Sequence, residues 1–248
     1  MGEYLDVNGV RTYFETRGKG EPVLLLHGGG GTVESLYAQA DELSKFYSVV
    51  LPERRWHGRS ACVGTELTYE IMTADTIALL DALKARKAHL IGHSDGANVA
   101  AMIALKRPEL VRKLVMISGN FNSDYMSAEG RASLGRLTVI GLREIFPAVV
   151  DMYYKVVPNA DERFPILLEM LKKLWTSDWR ISSEDLGRIG ARTLVMSADR
   201  DMIPLAHTLE LFRSIPPAQL CVIPNANHLL VMESPEAVNR AILCFLEP

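Results

Sequence analysis

Apolar residues gather in short unbroken runs at positions 23–26, 48–51, 89–91, 113–117, 193–196 and 220–223, each bounded by glycine or polar residues. A strand with no polar side must be covered on both faces, which is the condition of a parallel sheet between two layers of helices. Between most of the runs, apolar positions switch to helical spacing, with helices predicted at 33–45, 69–85, 96–106, 205–214 and 235–245. In the second of these, Ile71, Ala74, Ala78 and Ala82 keep the spacing of one buried face, leaving Glu70, Asp81 and Lys84 for water. The opening differs: residues 4–17 alternate polar and apolar around Asn8-Gly9, a pair suited to the positive φ angles of a tight hairpin, and predict an antiparallel edge.

One stretch breaks this rhythm. Residues 121–190 separate two strand candidates by far more than an ordinary crossover, so they need structure of their own. Helical patterns at 133–146 and 164–175, punctuated by Pro147, Pro158 and Pro165, predict an inserted helical cap. The expected organisation is an α/β core made of 1–121 and 191–248, with the cap over 122–190.

Composition adds limits. A chain of 248 residues, 48% hydrophobic and 23% charged, fits one globular domain with a full core. A net charge of −3 provides no basic face for nucleic acid. No apolar run approaches the roughly 20 residues needed to cross a bilayer, and no basic, apolar leader opens the chain. A cytoplasmic monomer or homodimer without nucleic-acid or membrane partners is expected. Cys62, Cys221 and Cys244 are odd in number and scattered, so they read as free thiols in a reducing compartment, and no metal or organic cofactor site is evident.

The chemistry concentrates in two glycine-rich segments. Gly92-His93-Ser94-Asp95-Gly96 follows the run at 89–91 and precedes an alanine-rich helical pattern, which is G-x-S-x-G between a strand and a helix. Such a turn projects the serine hydroxyl from the sheet edge and presses together the residues two before and two after it, where only very small side chains fit. At the start of the following helix, the backbone N–H of Asp95 is free to receive negative charge. The second segment, Leu26-His27-Gly28-Gly29-Gly30-Gly31, comes directly after the first buried run. Glycines there let backbone N–H groups approach a developing oxyanion without a Cβ in the way. Cradling a phosphate is the competing use of such a loop, but neither G-x-G-x-x-G with a ribose-binding acid nor G-K-[ST] follows.

With these motifs the chain resembles the α/β-hydrolase superfamily over nearly all its length apart from the cap. Pro52-Glu53-Arg54-Arg55-Trp56-His57-Gly58-Arg59-Ser60 is also similar to that family's D-x-R-G-x-G-x-S loop, with Glu53 for Asp and Trp56 for Gly. The resemblance implies a mostly parallel eight-stranded sheet flanked by helices, a nucleophile at Ser94, and oxyanion donors from the backbone of Gly29 and Asp95, with Gly28 as a neighbouring option. It also implies the chain order nucleophile, acid, histidine. His27, His57, His89 and His93 precede Ser94 and His207 falls within a helical pattern, so His228, after the last strand candidate, is the expected base. Asp199 and Asp201 both follow the run at 193–196, and either could cap the next helix. Asp201 matches the family's acid in a G-x-x-D-x-I-like pattern with Ala198 for Gly; Asp199 is the fallback and Asp124 a remote third.

The implied reaction is acyl transfer to water, on a small-molecule ester, thioester or lactone with an apolar part. Trp56 is expected to narrow the entrance, and Trp56, Tyr125, Met126 and Trp175 are candidate substrate contacts. Phe146, Tyr153, Tyr154 and Trp179 are further cap aromatics that either line a pocket or glue the cap down. Two readings compete. A carbon–carbon bond hydrolase of ring-cleavage products needs an arginine-lined pocket, for which Arg131, Arg136, Arg143, Arg163 and Arg180 are available; a ligand receptor would keep the fold without the chemistry.

Overall fold

The computed structural model describes residues 2–85 and 87–247. Asn8 and Gly9, at φ 50° and 75°, turn the chain between β1 (Gly2–Val7) and β2 (Val10–Arg17), the hairpin that their sequence predicts. The apolar runs become β3 (Pro22–Leu26), β4 (Ser48–Pro52), β5 (Ala88–His93), β6 (Val111–Ile117), β7 (Arg192–Ala198) and β8 (Ala218–Ile223). Together they form one eight-stranded sheet in the order β1-β2-β4-β3-β5-β6-β7-β8. Only the β1–β2 and β2–β4 pairings are antiparallel.

The core helices are α1 (Tyr37–Leu43), α2 (Tyr69–Ala82) and α3 (Asp95–Lys106). Between β6 and β7 come α4 (Ala128–Gly135), α5 (Val139–Ile145), α6 (Pro147–Val156), α7 (Ala160–Thr176) and α8 (Ser183–Leu186). The chain then adds α9 (Leu205–Ser214), α10 (Leu230–Glu233) and α11 (Pro235–Leu246).

Alternation along each parallel strand explains the unbroken apolar runs. Leu24, Leu26, Leu90, Leu114 and Met116 pack with residues of α2, α3 and α9, whereas Val23, Leu25, Ile91, Val115 and Ile117 pack with α1 and α11. In α2 the buried side is Met72, Thr73, Thr76, Leu79 and Leu80, and not the expected Ile71, Ala74, Ala78 and Ala82. Burying a leucine or methionine stabilises far more than burying an alanine, so the bulky set decides how the helix is rotated.

The segment between β6 and β7 is more helical than its prolines suggest. Pro147 opens α6 at a first-turn position, where a missing N–H costs nothing, and α7 runs through Pro165 on the strength of its buried stripe Phe164, Leu167, Leu168 and Leu171. The two ends of the segment are stitched side by side: the N–H of Ile181 donates to the carbonyl of Phe121 at 2.7 Å, and Asn122 pairs with Arg180. α8 packs against α9. Among the described residues, no helix is long and apolar enough to cross a membrane.

Candidate active site

β5 ends at His93, and the chain passes into α3 through Ser94 at φ 53° and ψ −121°, a conformation rare for a side-chain-bearing residue. The turn closes only because its flanks are glycine. A Cβ on Gly92 would lie 2.1 Å from the carbonyl oxygen of Gly96, and one on Gly96 would lie 2.2 Å from that of Leu26. Packing on β3 thus holds the strained turn in place.

The Ser94 hydroxyl oxygen lies 2.9 Å from His228 Nε2, and His228 Nδ1 lies 2.8 Å from Asp201 Oδ1. Asp201 comes from the loop after β7 and His228 from the loop after β8, so two neighbouring strands deliver them to the end of the sheet where Ser94 emerges. Both Asp201 oxygens are served. Oδ1 also accepts from the N–H of Ile203 at 3.0 Å, while Oδ2 accepts from the Ser118 hydroxyl and from Ser197 Oγ at 3.2 Å. Burial by itself raises the pKa of this carboxyl, but hydrogen bonds led by His228 and Ser118 outweigh it and hold the value at about 2. The group is therefore a carboxylate at neutral pH, Nδ1 of His228 carries the proton, and Nε2 is left to accept from Ser94.

The competing acids stand elsewhere. Asp199 accepts from the N–H of Ala226 at 3.3 Å on the exposed side of the loop, and Asp124 faces Arg180 at the surface. Sequence reasoning missed Ser118 and Ser197, whose only signal is a hydroxyl at or just past the end of an apolar run.

The glycine loop lies across the pocket floor. Gly28 approaches the side chains of His93 and Ser94, and a Cβ on Gly29 would lie 2.4 Å from Asp95 Oδ2 and 2.6 Å from Trp175 Cζ2. Among the described residues, the N–H groups of Gly28, Gly29 and Asp95 have no hydrogen-bond partner. The buried Asp95 carboxylate is held by Tyr69 Oη at 2.7 Å and by the indole N–H of Trp175, which lies 3.1 Å from Oδ1 and 3.0 Å from Oδ2.

Above these groups is a cavity of about 480 Å³. Tyr125, Met126 and Trp175 line it, joined by Phe146, Trp179 and aliphatic residues such as Leu134, Leu142 and Val149. Trp56 does not line it. Its indole N–H donates to the carbonyls of Val63 and Gly64, and its own carbonyl accepts from Tyr153 Oη at 3.0 Å, so it braces the loop beneath α6. Tyr153 and Tyr154 pack on Phe164 as glue. Among the described residues, no arginine or lysine lines the cavity. Arg131 is spent on Ser123 and on the carbonyl of Thr176, Arg143 on Asp151, and Arg163 on the carbonyl of Ser60. Glu53, Gly58 and Arg59 make the neighbouring loop a structural clasp: burial raises Glu53 to about 7, and Arg59 Nη1 sits 2.6 Å from its carboxyl. Among the described residues, no group of three or more His, Cys, Asp or Glu side chains is placed to hold a metal.

The model of the alpha/beta hydrolase family matches residues 23–241. The chain belongs to that family. As an alpha/beta hydrolase it is 30% identical to the 2-hydroxy-6-oxononadienedioate/2-hydroxy-6-oxononatrienedioate hydrolase of Comamonas testosteroni, over 95% of this chain and 91% of that protein. Its fold is similar to that of a meta-cleavage product hydrolase from Pseudomonas fluorescens, with a TM-score of 0.87 at 23% identity over 99% of this chain and 97% of the other. An enol-lactonase from Burkholderia xenovorans gives a TM-score of 0.79 at 21% identity over 98% and 99% of the two chains.

Proposed function

We propose that the chain is a serine hydrolase that cleaves a neutral carboxylic ester, thioester or lactone with an apolar acyl part. The observation that carries this reading is the cavity, whose mainly apolar walls lead to Ser94 with no lining cation among the described residues. A carboxylate-bearing substrate would lose its water there with no counter-charge to replace it, and would meet Asp95.

In this reading His228 accepts the Ser94 proton as Oγ attacks the carbonyl carbon, and Asp201 steadies the imidazolium. The N–H groups of Gly29 and Asp95 receive the oxyanion. Collapse of the tetrahedral intermediate expels the alcohol, thiol or ring oxygen, which takes its proton from His228. Water activated by the same histidine then releases the acid from Ser94.

A second reading, cleavage of a carbon–carbon bond, draws on the likeness to the Comamonas testosteroni enzyme, which is named for dioate substrates. The missing lining cation counts against it. A panel of p-nitrophenyl acyl esters, acyl thioesters and lactones, beside a vinylogous 1,5-diketone acid, separates the two. The ester reading expects neutral esters to be preferred and all turnover to vanish in Ser94→Ala. Preference for the diketone acid overturns it, and tight binding of a ligand without labelling of Ser94 by a fluorophosphonate favours a receptor.

A further inference from the structure

The peptide unit joining Gly28 to Gly29 is held from one edge by three donors. The Gly28 carbonyl oxygen lies 2.7 Å from His27 Nδ1 and accepts from Arg54 Nη2 at 2.9 Å and from the N–H of Gly31 at 3.2 Å. His27 is neutral, because burial first and Arg54 next push its pKa well down. Its Nε2 accepts from the N–H of Arg54 at 3.3 Å, so the proton is on Nδ1 and points at the same oxygen, and the 3.2 Å separation of Nδ1 from Arg54 Nη2 sets the two donors side by side on it. A carbonyl has two lone pairs; three donors, one of them cationic, fix the plane of this peptide. Since the unit is planar and trans, the N–H of Gly29 projects from the opposite edge.

Arg54 is costly for an ordinary structural residue. It is 4% exposed, and among the described residues its Nε and Nη1 have no partner. Burial pulls its pKa down to about 10 against the pull of Asp95 and Tyr69. For stability alone, an apolar side chain of similar length would serve as well or better.

We infer that Arg54 is a positioning residue for the oxyanion: by clamping and polarising the Gly28 carbonyl, it aims the Gly29 N–H at the oxygen that becomes negative when Ser94 adds to its substrate. This rests on the serine-hydrolase reading above. Polarising one end of a peptide unit strengthens the hydrogen bond made at the other.

The test compares Arg54→Met and Arg54→Lys with wild type, by steady-state kinetics on the best ester and by the rate at which a fluorophosphonate labels Ser94. Labelling calls on the same oxyanion donors without depending on acyl preference. Arg54→Met is expected to melt no lower than wild type and to lose about 10- to 100-fold in kcat and in labelling rate with little change in KM, while Arg54→Lys recovers part of both. A folded Arg54→Met that stays within about threefold of wild type on both rates, or loses only in KM, overturns the inference. Should Arg54→Met not fold, Arg54→Gln is read against the same limits, and failure of both to fold overturns it, because folding would then account for the charge. A wild type that is labelled but hydrolyses no member of the panel ends the substrate reading, and the labelling rates still decide Arg54. A wild type that is not labelled overturns both.

Discussion

His93 donates its Nε2–H to the carbonyl oxygen of His228 at 2.7 Å, so the residue just before Ser94 holds the backbone of the histidine paired with Ser94. Burial, and next the repulsion His228 exerts when it is protonated, bring His93 down to about 4, which keeps the ring neutral. Replacing it by leucine leaves a buried carbonyl without its donor. His93→Leu is expected to lose about 1–2 kcal/mol of stability and about tenfold in kcat, read by urea unfolding and ester kinetics. An unchanged kcat would mean that the loop carrying His228 is held without this bond.

Asp201 and Asp199 stand two residues apart and are expected to behave very differently. Asp201→Asn keeps the shape but puts an amide beside Nδ1 of His228, which favours the wrong tautomer and is expected to lower kcat by about 10³–10⁴. Asp199→Asn, whose side chain only steadies the N–H of Ala226, should stay within about threefold. Equal losses in the two variants would displace Asp201 from the role given to it.

Buried neutral histidines set an acid limit. Burial pushes His57 to about 3 and His93 to about 4, from an ordinary 6.5. Below pH 6.5 the unfolded chain takes up these protons and the folded chain does not, so stability falls with pH until the folded values are reached. Each group contributes up to about 1.4 kcal/mol per pH unit across that window. Asp201, lowered from 3.8 to about 2, adds a loss of the same sign only below 3.8. Glu53, raised by burial to about 7 from 4.5, works the other way between these values, but His27, His57 and His93 together outnumber it, so thermal melts between about pH 7 and pH 5 should show a falling Tm, and a flat profile would count against neutral burial of these rings.

Asp95 gives the cavity a sign. Asp95→Asn removes the charge beside the glycine loop and is expected to raise kcat/KM for a p-nitrophenyl hemisuccinate relative to the butyrate by about tenfold, the equivalent of about 1.4 kcal/mol. An unchanged ratio would show that this carboxylate does not reach the acyl group.

What the sequence made legible follows from how narrow each physical demand is. The elbow around Ser94 and the loop at Gly28 and Gly29 tolerate almost no side chain, so their letters are diagnostic, and His228 could be found because chain order left one candidate. Ser118 and Ser197 were not legible, since a serine at the end of a strand is ordinary and only the fold brings both hydroxyls onto Asp201. Trp56 misled because an aromatic near a family loop suggests an entrance, whereas its N–H had backbone carbonyls to satisfy. The face of α2 was misread by spacing alone, because alanines mark a helix without saying which side the heavier residues will claim.

The bond from Trp175 to Asp95 also bears on traffic. Ile145 and Met202, both lining the cavity, are 60% and 55% exposed, so the mouth lies between α5 and the loop after β7. Passage there leaves the bond untouched, whereas swinging α7 outward strips a donor from a buried carboxylate beside Ser94. α5 is thus the gatepost and α7 the fixed jamb, and a substitution at Ile145 reshapes the mouth without touching the bond between Trp175 and Asp95.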